Sequence, residues 1–385
     1  MADELTPPIS TAELANVVQT YLGNERVRVT DWRWQPVDFI PVNPSTGGLY
    51  RVSGEARSPY ASPIPWSLVM KVIQASRSSP DVPDHWNYWK REALAYQSGL
   101  PYRLPAGVTA PRLAGVVPDP ANPLRLYLFL EDIQDEPAAG WSLADNRALA
   151  EGLGCWAALP HHEPLSLPWL SQAYLRGMLQ TGATITRQLD EQGVWEVPHI
   201  AREFSPSTVE RIRSLPSERD QLLRVLDRLP RVLCHFDAHG GNIMRRRKED
   251  GSTELVLIDW SSLGLGAMGE EIGQQFCTNV LSGVVPAAQA NDVAEELIAA
   301  YTRGLRAAGV RADERAVRFG FVTAAALGGL GFSLPFFVRA GADPRDPAAV
   351  AVAAQLGAAA RALLFYLEAA WQMARDGCGL LRHIG

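Results

Sequence analysis

The chain has 385 residues, 47% of them apolar and 20% charged, with a formal net charge of −6. That length exceeds what one hydrophobic core serves, so two lobes are expected, and the apolar content excludes long disorder. A mildly acidic chain has no electrostatic reason to bind nucleic acid or an anionic membrane, which leaves a small molecule as the expected partner.

The amino terminus, MADELTPPIS, carries acidic residues and prolines where a secretory signal needs basic residues followed by an apolar run. Ser10 and Glu13 form a capping box that predicts a helix to about Leu22. Short β-rich runs follow at Val27 to Pro36, Gly48 to Val52 and Trp66 to Ile73, separated by Pro, Gly and Ser clusters, and read as an antiparallel sheet. Trp86, Trp89, Ala93 and Tyr96 recur at helical spacing, predicting a helix from His85 to Gln97. Two more β runs, Leu113 to Val117 and Arg125 to Leu130, lead into the polar segment Glu131 to Pro137, the expected lobe boundary.

Beyond it the pattern turns helical over Leu143 to Leu159, Trp169 to Leu189, Pro206 to Leu215 and Glu218 to Leu229. A β interlude spans Arg231 to Asp259, after which helices resume from Gly269 to near Arg375; the alanine-rich tract from Pro344 to Ala362 reads as a bundle helix. The longest uninterrupted run of apolar and small residues, Gly320 to Phe332, is too short to cross a bilayer. Cys155, Cys234, Cys277 and Cys378 are far apart in sequence, suggesting neither a zinc knuckle nor a disulfide framework, so a cytoplasmic location is expected.

Chemistry concentrates in His235-Phe236-Asp237-Ala238-His239-Gly240-Gly241-Asn242, followed by the apolar run Leu255 to Ile258 and then Asp259-Trp260. Phosphoryl transfer needs an in-line hydroxyl whose proton finds an acceptor, and metal ions that neutralise the phosphates. A carboxylate such as Asp237 can orient that hydroxyl and accept its proton, while Asn242 and Asp259 offer the hard oxygen ligands that Mg²⁺ prefers. Taken alone, Asp237 and Asn242 would cap a turn; the apolar strand that ends in Asp259 favours chemistry. A zinc or iron hydrolase using His235, Asp237 and His239 is a rival reading, weakened because the sequence has no second tight histidine cluster.

Upstream, Lys71 is one of three lysines among 36 basic residues and ends the run Leu68-Val69-Met70-Lys71. A strand lysine on the nucleotide phosphates, held by a helix carboxylate, completes such a site; Glu92 is the expected carboxylate, with Glu55 also in reach of the sheet. The turn Ser45-Thr46-Gly47-Gly48 lies one strand earlier and is a candidate to cover phosphates with its N–H groups.

These residues resemble the aminoglycoside phosphotransferase and choline kinase-like superfamily, often called the phosphotransferase enzyme family. The matching pieces run from about Asn43 to Phe276: the glycine turn, V-M-K, the acidic helix, L-Y-L-F-L-E-D-I, H-F-D-A-H-G-G-N-I, and L-I-D-W followed by G-L-G-A-M-G-E-E-I-G. The resemblance implies an α+β, protein-kinase-like two-lobed fold, with an antiparallel β-sheet N-lobe over residues 1–133 and a mainly helical C-lobe over residues 134–385. It implies transfer of the γ-phosphate of ATP or GTP, with Mg²⁺, to a small-molecule hydroxyl. Asp237 would be the catalytic base and Asn242 and Asp259 the Mg²⁺ ligands, with Lys71 on the ATP phosphates and Glu92 as its partner. Glu131, Asp132 and Ile133 would form the hinge whose backbone meets adenine.

Two departures stand out: Phe236 where relatives often carry Gly, and Trp260-Ser261 where protein kinases carry Phe-Gly. About ten residues separate Asp259 from the helix expected near Gly269, too few for a peptide-docking activation loop, so a small acceptor is expected, walled by helices such as Trp169 to Leu189 and Val317 to Phe336. Aminoglycosides or other antibiotics, amino alcohols and sugars all fit that description. His239, Glu270 and Glu271 are candidate acceptor contacts, although acidic residues at a helix amino terminus also serve its dipole. A nucleotide-binding scaffold without transfer is disfavoured, because Lys71, Asp237, Asn242 and Asp259 are all chemically competent.

Overall fold

Ser10 closes a capping box at the start of α1 (Thr11–Leu22): Ser10 Oγ accepts the Glu13 N–H at 3.2 Å, and Glu13 Oε2 accepts the Ser10 N–H at 2.9 Å. The computed structural model describes residues 9–38, 43–58, 62–134, 142–342 and 347–376. After α1, an antiparallel sheet is built from β1 (Arg28–Pro36), β2 (Thr46–Arg57) and β3 (Ile64–Gln74). Helix α2 (Arg91–Ser98) and the short β4 (Val108–Thr109) precede its last two strands, β5 (Leu113–Pro118) and β6 (Arg125–Glu131). The strand order is β1-β2-β3-β6-β5.

Strand alternation divides the side chains of this sheet between two cores. Trp66, Leu68, Met70 and Val72 of β3 join Tyr127 and Phe129 of β6 under α1, against Leu14, Val17 and Val18. Ile73, Leu126, Leu128 and Leu130 face the other way, into the large core shared with α2 and the helical half. Lys71, between Met70 and Val72, therefore projects toward α2.

The helical half opens with α3 (Leu143–Ala157), α4 (Leu159–His162), α5 (Tyr174–Glu191), α6 (Pro198–Glu203) and α7 (Pro206–Leu226). Four short strands interrupt it: β7 (Arg231–Cys234), β8 (Ile243–Arg247), β9 (Thr253–Leu257) and β10 (Gly264–Ala267). β7 pairs with β10, while β9 lies between β8 and the parallel β4. The chain continues through α8 (Glu270–Leu281), α9 (Ala290–Ala307), α10 (Glu314–Gly328), α11 (Leu334–Ala340) and α12 (Pro347–Arg375), with residues 344–346 of the alanine-rich tract outside the described residues.

Three elements differ from the sequence expectation. The helix expected from His85 begins only at Arg91, because the Arg91 guanidinium takes the His85 and Trp86 carbonyls that a helix would use internally. The helix expected from Trp169 begins at Tyr174, because Ser171 is drawn into a bridge, accepting the Leu265 N–H at 2.8 Å and donating to Leu263 at 3.3 Å. The two helices expected on either side of Pro216 are one, α7; the buried stripe Val209, Ile212, Leu215, Leu222, Leu223 and Leu226 runs through the proline and outweighs the lost backbone bond.

Two stretches, Glu314–Ala340 and Ala348–Arg375, are long and apolar enough to cross a membrane by length and composition, which a count of uninterrupted apolar runs missed. In the first, 72% of the apolar window is buried inside the protein, as in a core helix.

Candidate active site

β7 ends at Cys234 and the chain turns sharply at Phe236, whose φ is 66°. Asp259, at the end of β9, has φ 58°, and these are the two non-glycine residues with positive φ among the described residues. Backbone in this region is costly for an L residue, and both instances fall in the motif that carries the chemistry. At position 236 a glycine would adopt this conformation without cost. The phenyl ring that stands there is buried, stacked on Tyr174 at 4.6 Å, and fits only because Gly266 has no side chain; a Cβ there would lie 2.7 Å from Phe236.

The loop is rigidly tied. The Asn242 amide nitrogen donates to the Asp237 carbonyl at 2.9 Å and to Asp237 Oδ2 at 2.8 Å. With its nitrogen committed, Asn242 has its amide oxygen, a hard donor, left to turn toward a cation.

His235 joins this loop to the Asp259 strand. Its Nδ1 accepts the Asp237 N–H at 3.2 Å, so the proton of the neutral ring sits on Nε2, which donates to the Ile258 carbonyl at 3.2 Å. Burial pushes the imidazole down to about 3. The Ile258 N–H in turn donates to the Asn242 carbonyl at 3.0 Å, so both backbone groups of the residue before Asp259 are held by the Asp237–Asn242 loop. With both ring nitrogens engaged, His235 cannot serve as a metal ligand as the hydrolase reading requires.

From the other side, Lys71 Nζ lies 2.7 Å from Glu92 Oε2 and 3.2 Å from Asp259 Oδ1. Burial alone would lower the ammonium, but the carboxylates of Asp259 and Glu92 outweigh it and hold Lys71 above its ordinary range. Glu55 lies far down β2, paired with Pro65 across the sheet, while Lys71 pairs with Leu49. Asp259 feels burial as a raising effect, yet Lys71 keeps it below the usual carboxylate range. Asp237 goes the opposite way: burial first, then the charge of Asp259, push it well above that range. Its side chain is still 34% exposed, so it opens to the cleft.

The remaining candidate residues divide. His239 stands beside the base, its Nε2 3.5 Å from Asp237 Oδ1, while its Nδ1 accepts the Gly241 N–H at 3.1 Å. Asp132 in the hinge segment accepts Arg51 Nε at 2.8 Å and Ser67 Oγ at 2.6 Å, and Glu131 Oε1 accepts Arg246 at 3.1 Å; Ile133 is buried. Thr46, Gly47 and Gly48 open β2 at a bulge instead of forming a free turn, and Ser45 is buried with its N–H and hydroxyl on Asn43 Oδ1.

Glu270 and Glu271 do not face an acceptor. They are 3% and 1% exposed, at the inward face of α8; Glu270 accepts the Ala267 N–H at 2.7 Å and Glu271 accepts the Phe236 N–H at 3.1 Å. The physical reason is backbone demand: the strained turn at Phe236 leaves an N–H without a strand partner, and Glu271 supplies it. One α-helical face further on, Asn279 Oδ1 accepts the Gly240 N–H at 2.9 Å, so α8 fastens the loop at two points. Sequence reasoning missed the roles of His235, Glu271 and Asn279 as supports, although the polarity of α8 in an otherwise apolar region was a visible signal.

A strand lysine bound to a helix glutamate, facing an H-x-D-x-x-x-x-N loop and a strand-end aspartate on a two-lobed frame, defines the protein-kinase-like fold. Residues 105–318, more than half of the chain, match the phosphotransferase enzyme family, and the protein belongs to that family. A choline/ethanolamine kinase of Mus musculus is 23% identical over 260 residues, covering 64% of this chain and 56% of the mouse protein, so the match spans little more than half of that relative. Among solved structures, choline kinase from Cryptosporidium parvum Iowa II aligns with a TM-score of 0.53 at 10% identity, over 90% of this chain and 91% of that one. Amicoumacin kinase, in complex with AMP-PNP, Ca²⁺ and Ami, aligns with a TM-score of 0.51 at 14% identity, over 94% and 96%. These structural likenesses carry the fold alone.

Proposed function

We propose that the protein is an ATP- and Mg²⁺-dependent kinase that phosphorylates a hydroxyl of a small molecule. The observation that carries this reading is the convergence of Lys71, Asp259, Asn242 and Asp237 through the 3.2 Å Lys71–Asp259 pair and the 2.8 Å Asn242–Asp237 bond.

The donor set suits the expected cofactor, since Asn242 and Asp259 offer oxygen and no soft ligand. When bound, Mg²⁺ would neutralise charge on the β- and γ-phosphates. Lys71, held charged by Glu92, would contact the α- and β-phosphates. The backbone of Glu131 to Ile133 would read the base. Asp237, open to the cleft and made more basic by burial and by the charge of Asp259, would orient the acceptor hydroxyl and take its proton, with His239 contacting the same acceptor. Residues 1–133 would then form the nucleotide lobe and residues 134–385 the catalytic and acceptor lobe, in the cytoplasm.

A small acceptor is favoured because the segment from Asp259 to α8 holds a short turn and β10 and has no room for a docking loop. The names of the relatives direct the search to amino alcohols and hydroxylated antibiotics. The test is ADP release from Mg²⁺-ATP across a panel of amino alcohols, antibiotics and sugars, with Asp237→Ala as control. Loss of the base should lower turnover by about 10²- to 10⁴-fold while nucleotide binding persists. Unchanged turnover in that variant would remove the mechanism.

A further inference from the structure

Arg91, the first residue of α2, is 0% exposed, and among the described residues it has no salt bridge. A buried guanidinium without a carboxylate is expensive unless its donors are all used. Here they are distributed over three separate segments. Nη2 donates to the His85 carbonyl at 2.6 Å and Nη1 to that of Trp86 at 2.8 Å, both in the approach to α2. Nε donates to the Trp169 carbonyl at 2.9 Å, ahead of α5, and Nη1 also to the Ser261 carbonyl at 3.3 Å, two residues past Asp259.

The neighbouring residue reaches the same turn through a lysine. Glu92 pairs with Lys71 at 2.7 Å, and Lys71 lies 3.2 Å from Asp259 Oδ1. The first turn of α2 is thus tied to the Ser261 carbonyl directly and to Asp259 through Lys71. Trp86 adds an apolar anchor: its ring meets Tyr174 at 5.8 Å and lies over Gly177 of α5, where a Cβ would sit 2.1 Å away.

We propose that Arg91 is a positioning residue that locks α2, the segment before α5 and the Asp259 turn into one rigid unit, so that the Lys71–Glu92–Asp259 constellation stands assembled before nucleotide arrives. Swinging α2 outward would strand the Trp169 and Ser261 carbonyls and leave a buried cation short of acceptors, so this helix is not an on–off device. The proposal rests on the kinase reading for its purpose, and on geometry alone for the lock.

The test is hydrogen–deuterium exchange read by mass spectrometry on the wild type and on Arg91→Lys, without nucleotide, followed by calorimetry with Mg²⁺ and AMP-PNP. A lysine keeps the charge but not the planar fork that reaches three segments. In the wild type, peptides 91–98 and 257–263 should exchange slowly and at matching rates, since one opening event frees both. In Arg91→Lys both should lose most of their protection and exchange at close to the rate of unprotected amides, while α9 is unchanged. Because the competent state then becomes a minor one, AMP-PNP affinity should fall in proportion to its remaining population, about tenfold where one molecule in ten is closed. Turnover at saturating ATP should change by less than about threefold, a KM effect that general misfolding does not produce.

Fast or unmatched exchange of 91–98 and 257–263 in the wild type would overturn the lock, and this arm stands even if the variant fails to fold. Unaltered exchange and affinity in a folded Arg91→Lys would overturn it equally. If the wild type binds no AMP-PNP yet the exchange pattern is as expected, the kinase reading falls and the lock stands.

Discussion

Glu271→Gln separates a structural role from an acceptor-binding one. The carboxylate is fully buried beneath Phe236, one oxygen accepts that residue's N–H, and the other, Oε1, has no hydrogen-bond partner. Burial pushes its pKa up from 4.5 to about 7. A carboxyl raised in the folded state binds its proton more tightly there than in the unfolded chain. The folded state is therefore unpenalised below pH 4.5, loses stability as pH rises from 4.5 to 7, and stays at that lower level above. A shift of this size corresponds to roughly 3 kcal/mol at pH 8, and to about 1 kcal/mol at pH 5.

The glutamine is isosteric, keeps an oxygen for the Phe236 N–H and does not titrate. Any fixed cost of its amide is the same at both pH values, so the difference between variant and wild type should shift in favour of the variant by about 2 kcal/mol from pH 5 to pH 8. At about 2.1 cal/mol/K of unfolding entropy per residue over 385 residues, that is a relative gain in Tm of roughly 3 °C. Thermal or urea unfolding of both proteins at the two pH values measures it, and turnover should be nearly unchanged because the loop keeps its hydrogen bond. A variant whose stability difference is flat with pH, but whose turnover collapses, would refute the reasoning and return Glu271 to the acceptor.

Two further expectations concern the cation site and its brace. Asp259→Ala should weaken Mg²⁺-nucleotide binding by more than the roughly 10- to 100-fold that loss of an outer-shell partner costs, measured by calorimetry with metal and AMP-PNP; retained affinity would dismiss Asp259 as a ligand. His235→Ala leaves the Asp237 N–H and the Ile258 carbonyl without their partner in a dry interior, so it should cost about 2–5 kcal/mol in urea unfolding. Its turnover should fall as well, because the loop and the Asp259 strand lose their link; full activity in a destabilised variant would show the brace to be structural only.

Much of this frame is written locally. Capping at Ser10, the alternation that points Lys71 away from Met70 and Val72, and the spacing from Asp237 to Asn242 and Asp259 are short-range patterns, and short-range patterns fix backbone period and side-chain face. The match to the phosphotransferase enzyme family rests on residues 105–318, which hold Asp237, Asn242 and Asp259 but neither Ser10 nor Lys71. What sequence could not supply is the assignment of long-range partners. Glu92 and Glu55 are equally acidic, and only the packing of α2 against β3 brings one of them to Lys71. Glu270 and Glu271 look like surface charges at a helix start until the Phe236 turn presents an N–H for Glu271 to accept. Arg91 carries no motif, yet besides the His85 and Trp86 carbonyls that set where its helix begins it reaches a carbonyl 170 residues away. Those outcomes depend on which buried backbone groups remain unpaired once the two halves close, a quantity that exists only in the folded molecule.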